Sequence, residues 1–162
     1  MQPALSCAQG GALIRPAEVS DVGDMFRIRS AADENTMTPQ ELAAAGVTPG
    51  AIALAVQSDP CAWVATAGGA TVGFAMVDLH SACLFALFVL PPYQGKGIGT
   101  RLVRACEDAL FSRHATAWLE TSADSRAARL YRRLGWGADA DVGGGDVRLE
   151  KHRSEPSPPV AV

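Results

Sequence analysis

Residues 87–103 read "LFVLPPYQGKGIGTRLV", and the reading of this stretch decides the fold. A wholly apolar run meets two prolines. Gly95, Gly97 and Gly99 follow at alternate positions with Lys96 among them, and a helical pattern then begins. The pattern is that of a strand, a punctuated turn and a helix start. The first turn of a helix carries backbone N–H groups without intrahelical acceptors, and the helix dipole adds partial positive charge there. Such a start can hold an anion, and glycine lets the anion approach the main chain because no Cβ intervenes. The same residues also suit a tight turn that binds nothing. Spacing excludes one phosphate loop and disfavours another. "GKGIGT" lacks the order G-x-x-x-x-G-K-[ST]. Thr100 or Leu102 stands where a dinucleotide fingerprint needs its third glycine.

The rest of the chain bounds the answer. Its 162 residues suit one domain with a sizeable core. They are 48% hydrophobic and 19% charged, as in soluble globular proteins. The longest apolar run covers residues 84–90, far short of the roughly 20 residues of a membrane span. No Lys or Arg precedes Arg15 and no long apolar segment accompanies it, so the N-terminus makes a poor signal peptide. Cys7, Cys61, Cys83 and Cys106 show no CxxC spacing; reduced thiols in a cytoplasm are expected, with neither a disulfide frame nor a metal site. The formal charge is −3 with scattered basic residues, which argues against a nucleic-acid partner.

Residues 1–10 read as a loose lead-in, 11–152 as a single domain and 153–162 as a disordered Pro- and Ser-rich tail. Within the domain "ALIRPA" is a strand ended by Pro16. "EVSDVGDMFRIRSAA" is a helix with Val19, Val22, Met25, Phe26 and Arg29 at helical spacing. "TPQELAAAGV" and "TPGAIALAVQS" start short helices. "CAWVATAGG" and "ATVGFAMVDL" form a hairpin. The continuous apolarity of "ACLFALFVL" predicts a strand buried on both faces. A helix follows from Ile98, with Leu102, Val103, Cys106, Ala109 and Leu110 on its apolar face and Arg101, Arg104, Glu107 and Asp108 away from it. Strand "ATAWLET", helix "SRAARLYRRLG" with Ala127, Leu130, Tyr131 and Leu134 on one stripe, and strand "VRLEK" complete a mixed α/β domain.

Two motifs carry a resemblance. "QGKGIG", residues 94–99, is similar to the Q/R-x-x-G-x-G/A signature of the GNAT superfamily of acyl-CoA-dependent N-acyltransferases, in the same strand–turn–helix setting. "DSRAARLYRRLGW", residues 124–136, resembles that family's N-x-x-A-x-x-x-Y-x-x-x-G-F element. The element order agrees over residues 12–151. The resemblance implies a GNAT-like α/β fold: a central, mostly antiparallel sheet with a splayed parallel strand pair, flanked by helices. It implies acetyl-CoA as acyl donor, with no metal. The diphosphate is expected on the backbone amides of Gln94, Gly95, Lys96, Gly97, Ile98, Gly99 and Thr100. The pantetheine is expected along the main chain of Leu87, Phe88 and Val89. Arg101 and Arg104 either meet outer phosphates or line a solvated helix face.

The implied reaction is attack of a neutral primary amine, of a small molecule or peptide, directly on the thioester. Tyr131 matches the family's tyrosine and is the candidate general acid toward the departing sulfur. A base is less legible. The strand before the turn holds no carboxylate, Glu120 ends "AWLE" and is a candidate, and a water relay serves equally; Asp78 and His80 fit a solvated turn. Asp124 stands where the family favours Asn, as a cofactor contact or a helix cap. For the acceptor, Phe26 and Met37 are candidate apolar contacts and Asp33 and Glu34 candidate partners of a cationic amine. Trp63, Trp118 and Trp136 read as core or dimer contacts, compatible with a homodimer. A non-catalytic acyl-CoA sensor of the same fold is the alternative, and a nucleotide-binding α/β domain a weaker third.

Overall fold

The computed structural model describes residues 11–32 and 37–154. Strand β1 (Leu13–Pro16) ends at a proline, which has no N–H to extend a ladder. A 3₁₀ turn leads into α1 (Val22–Ala31), which buries Val22, Met25 and Ile28. Val19 lies in the turn before the helix and is exposed. Arg15 and Asp21 join β1 to this turn through a two-pronged pair of 2.7 and 2.9 Å. Helices α2 (Pro39–Ala44) and α3 (Pro49–Ser58) start alike: proline fixes the first turn, and the hydroxyls of Thr38 and Thr48 accept from the amides of Glu41 and Ala51.

Strands β2 (Ala62–Ala67) and β3 (Ala70–Asp78) form the expected hairpin. Gly68 and Gly69 turn it at φ of 58° and 82°, open to glycine without strain. Then come β4 (Cys83–Val89), α4 (Ile98–Phe111), β5 (Thr116–Ser122), α5 (Arg126–Arg133), β6 (Gly137–Gly143) and β7 (Asp146–His152). One sheet holds all seven strands in the order β1-β2-β3-β4-β5-β7-β6. Every neighbouring pair is antiparallel except β4 with β5. This is the mixed sheet with one parallel pair that the family resemblance implies. Helix α4 packs across β2 to β5, and Leu102 lies against Gly73. Side chains alternate along a strand, so Phe74 and Met76 turn to the other face, where Met25 of α1 and Ile52 of α3 cover them.

Three details depart from the sequence reading. Strand β3, not β4, is buried along its length: Val72, Phe74, Ala75, Met76 and Val77 are all 3% exposed or less, whereas Phe85 of β4 is 44% exposed. Strand β6 was not expected. "GADADVG" contains one β-branched residue and is exposed nearly throughout, so its strand state comes from pairing with β7 rather than from propensity. Glu107, expected away from the apolar face of α4, is buried in the protein at 9% exposure. Cys61, Cys83 and Cys106 are free, buried thiols. Among the described residues no helix is long and apolar enough to cross a membrane.

Candidate active site

The site begins as a defect in the sheet. Strands β4 and β5 pair only at Cys83 and Trp118, where the Trp118 amide donates to Ala82 O at 3.0 Å. Opposite β3 the register runs Val77 to Leu84 and then Met76 to Ala86, so Phe85 is an extra residue in β4. Such a bulge bends its strand. Beyond it β4 follows β3 as far as Gly73–Val89, while β5 follows β7 along its whole length. The two strands diverge and a gap opens between them. The Leu90 amide donates to Val72 O at 2.9 Å. Peptide groups alternate along a strand, so Phe88, like Leu90, turns its main chain to β3. Leu87 and Val89 turn theirs to the gap. Of the three predicted positions, these two face it.

The glycine turn closes the wide end. Gln94 is fixed twice: its amide donates to Pro91 O at 3.2 Å and its side-chain nitrogen to Val89 O at 3.0 Å. The Gln94 amide is therefore already engaged, and the residue shapes the turn. Gly95 and Gly97 have φ of 76° and 83°, and an added Cβ at either meets nothing within 4 Å. These two are glycines for backbone shape, with open space in front. Gly99 differs: a Cβ added there would lie 3.0 Å from Leu130 Cδ2, so it serves the contact between α4 and α5. Gly97 caps α4 without a side-chain bond, and the first amide to bond back is Arg101 to Gly97 O at 3.2 Å. The amides of Ile98, Gly99 and Thr100 precede it and have no acceptor within the helix. Lys96 is exposed, 5.6 Å from the Tyr93 ring centre. The Arg101 guanidinium donates to Ala12 O, which ties it to the residue before β1; Arg104 is exposed.

Helix α5 brings the candidate acid. Its cap is Ser125, whose hydroxyl accepts from the Ala128 amide at 3.0 Å, so Asp124 is not the cap. Asp124 precedes it, exposed, with its carbonyl accepting from Arg129 at 3.1 Å. Tyr131 is 4% exposed, its ring centre 6.0 Å from that of Trp136 at a 59° tilt. The Trp136 indole donates to Glu107 Oε1 at 3.0 Å. Lys151 Nζ donates to the same oxygen at 2.8 Å and to Leu134 O at 2.7 Å. Sequence reasoning missed this network, because Glu107 lies at the border of a helix face and its partners are 29 and 44 residues away.

Glu120 is exposed on β5, in register with Arg148 of β7. By alternation it shares the face of Trp118, over which Arg148 stacks at 4.0 Å. That is the α1–α3 face, since Trp118 lines a groove with Ile52 and Ala55 of α3 and Cys83 and Phe85 of β4. Glu120 and α5 thus approach the sheet from opposite faces. Burial, then the charges of Asp78 and Glu120, push the Cys83 thiol up to about 12. Asp78 accepts from the amides of His80 and Ser81 and from the Ser81 hydroxyl, closing the expected turn. These bonds, led by that to the Ser81 hydroxyl, hold its carboxyl below the usual range. A second, apolar pocket lies between α1, α3 and β4; Met25, Phe26, Arg29, Ile52 and Phe85 line it. Asp33 and Glu34 lie outside the described residues. No group of three or more His, Cys, Asp or Glu among the described residues could hold a metal ion.

Comparisons with known proteins follow this geometry. Residues 27–136 match the Acetyltransferase (GNAT) family. No curated protein sequence matches the chain. Among solved structures, PaiA N-acetyltransferase from Thermoplasma acidophilum in complex with coenzyme A superposes with TM-score 0.71 at 17% identity, over 88% of this chain and 99% of its own. The protein yncA from Salmonella typhimurium with its cofactor acetyl-CoA gives 0.65 at 20%, over 93% and 99%. The ribosomal-protein-S18-alanine N-acetyltransferase from Escherichia coli gives 0.64 at 23%, over 93% and 99%. These likenesses concern the fold. The match over 27–136, which takes in the bulge, the glycine turn and Tyr131, places the chain in the acetyltransferase (GNAT) family.

Proposed function

We propose that this chain is an N-acetyltransferase that moves an acetyl group from acetyl-CoA to a primary amine of a small molecule or peptide by direct attack. One observation carries the reading: the gap between β4 and β5 opens onto the uncapped start of α4. A long ligand with an anionic end and an amide-bearing arm fits both parts. The amides from Gly95 to Thr100 take the diphosphate, with the α4 dipole behind them. The open main chain of Leu87, with the amide of Val89, pairs with the amides of the arm as an added strand. Solved structures of the same fold with coenzyme A and acetyl-CoA support this assignment.

Acetyl-CoA supplies the acyl group as an activated thioester. The protein orders the reactants and handles protons. The amine must be neutral to attack, yet a free alkylamine has a pKa of about 10.4. Glu120 or a water chain on the α1–α3 face accepts that proton. The Tyr131 hydroxyl donates to the departing sulfur. Thermal unfolding with coenzyme A tests the first half. A ligand at 100 times its Kd adds about 2.7 kcal/mol, or roughly 5–10 °C in Tm for a chain of this size. No rise overturns the reading. Thiol release from acetyl-CoA across an amine panel tests the second half. Stabilisation without release for any amine leaves a sensor domain and removes the enzyme.

A further inference from the structure

We infer that Arg29 selects an acceptor that carries a carboxylate beside its amine, with an apolar portion seated between α1, α3 and β4. This rests on the acyl transfer proposed above. Arg29 lies in the last turn of α1 and lines the apolar pocket. Its Cζ stands 4.7 Å over the Phe88 ring. Its Nε is buried and has no hydrogen-bond partner. Among the described residues its Nη2 meets the Met37 thioether, 3.8 Å away, a weak acceptor. No carboxylate among the described residues pairs with it, whereas Arg15, Arg27, Arg113, Arg132 and Arg148 each have one within 4.0 Å.

A guanidinium nitrogen withdrawn from water without an acceptor is costly. The Phe88 face returns only about 0.5–2 kcal/mol. The α1 C-terminus favours a cation but offers nothing to Nε. Burial lowers the Arg29 pKa from its ordinary value, the direction expected of a charge that awaits a partner. The missing partner is an anion matching the planar guanidinium fork. A carboxylate suits the site better than a phosphate, because Arg29 is the one cation in a lining otherwise made of Met, Phe, Val, Ile and Ala side chains. The place suits an acceptor. Phe85, the bulge residue at which the gap opens, and Ala86 beside it line the same pocket.

The test uses matched amines with acetyl-CoA: leucine against isopentylamine, phenylalanine against phenethylamine, γ-aminobutyrate against propylamine. Each pair differs by one carboxylate. We expect kcat/KM at least 30-fold higher for the better carboxylated partner, and that ratio to fall toward one in Arg29→Gln and to an intermediate value in Arg29→Lys. Isocaproate, which is leucine without its amine, should raise the Tm of the CoA-saturated wild type and not of Arg29→Gln. The rise in Tm with coenzyme A alone controls for folding of the variant. If coenzyme A stabilises the wild type but every pair reacts alike and isocaproate has no effect, the inference fails while the proposed function stands. If coenzyme A itself fails to bind, the proposed function fails first.

Discussion

Glu107→Gln probes the buried network under Tyr131. The Glu107 side chain is 12% exposed and that of Lys151 is 20% exposed. Gln retains an oxygen for the Trp136 indole but removes the charge that faces the Lys151 ammonium. Breaking a buried pair by removing one partner costs about 3–5 kcal/mol. Lys151 keeps the Leu134 carbonyl at 2.7 Å and some access to water, which brings the expected loss to about 2–3 kcal/mol. For a chain of this length that lowers Tm by about 5–10 °C. Urea unfolding at neutral pH reads the free energy directly. The double variant Glu107→Gln with Lys151→Met carries no stranded charge and should recover at least half of the loss. Glu107→Leu also removes the acceptor of the Trp136 indole, loosens the ring against which Tyr131 tilts, and should lower turnover with little change in coenzyme A affinity. A loss below about 0.5 kcal/mol in Glu107→Gln, or strict additivity in the double variant, would refute the argument that this pair is an energetic unit.

Three further outcomes are expected. Tyr131→Phe should lower turnover at least tenfold and leave coenzyme A affinity near wild type in calorimetry; unaltered turnover removes the acid role. Gly97→Ala should cost about 1–2 kcal/mol, because alanine resists φ of 83°, and should weaken coenzyme A at least tenfold. Gly99→Ala should be near neutral in stability: helix propensity gains up to about 1 kcal/mol, offset by moving the flexible Leu130 end. Equal effects of the two substitutions on urea midpoints and calorimetry would contradict the separate roles of these glycines. Asp21 is held below the ordinary carboxyl range, chiefly by its bond to Arg15. Its contribution is complete above the unfolded value of about 3.9 and is lost as pH falls through the lower folded value. Wild-type stability should therefore drop between about pH 4 and 2 more steeply than that of Asp21→Asn; parallel pH curves from urea unfolding would contradict this.

Local chemistry made much of the fold legible. Thr38-Pro39 and Thr48-Pro49 announce helix starts because a hydroxyl and a fixed φ act within one turn. Gly68-Gly69 announces a hairpin for the same reason. Features set by distant partners were not legible. Strand β6 has an unpromising sequence and forms because β7 offers it an edge. Glu107 is buried because Trp136 and Lys151 reach it from two other elements. The apolar run of β4 predicted full burial, and its hydrophobicity was read correctly while its surroundings were not.

The bulge at Phe85 shows why the site was only partly readable. A strand's composition does not reveal that its partner is one residue shorter; only the pairing of Val77 with Leu84 and of Met76 with Ala86 does so. Yet that one residue bends β4 from β5 and frees the main chain of Leu87 and the amide of Val89, whose carbonyl Gln94 takes. It also turns Phe85 toward the apolar pocket that Arg29 lines. The glycine turn is visible in sequence because glycine is demanded by φ at positions 95 and 97. The identity of an acceptor is not, because it depends on which charge a pocket leaves unpaired after folding. Arg29 differs from Arg15 and Arg148 in no sequence property of its own. It differs in having, once folded, a buried nitrogen and no carboxylate partner among the described residues. The specificity proposed for this chain therefore rests on what the fold fails to satisfy, whereas the proposed cofactor crevice rests on a local motif and a single misfit in the sheet.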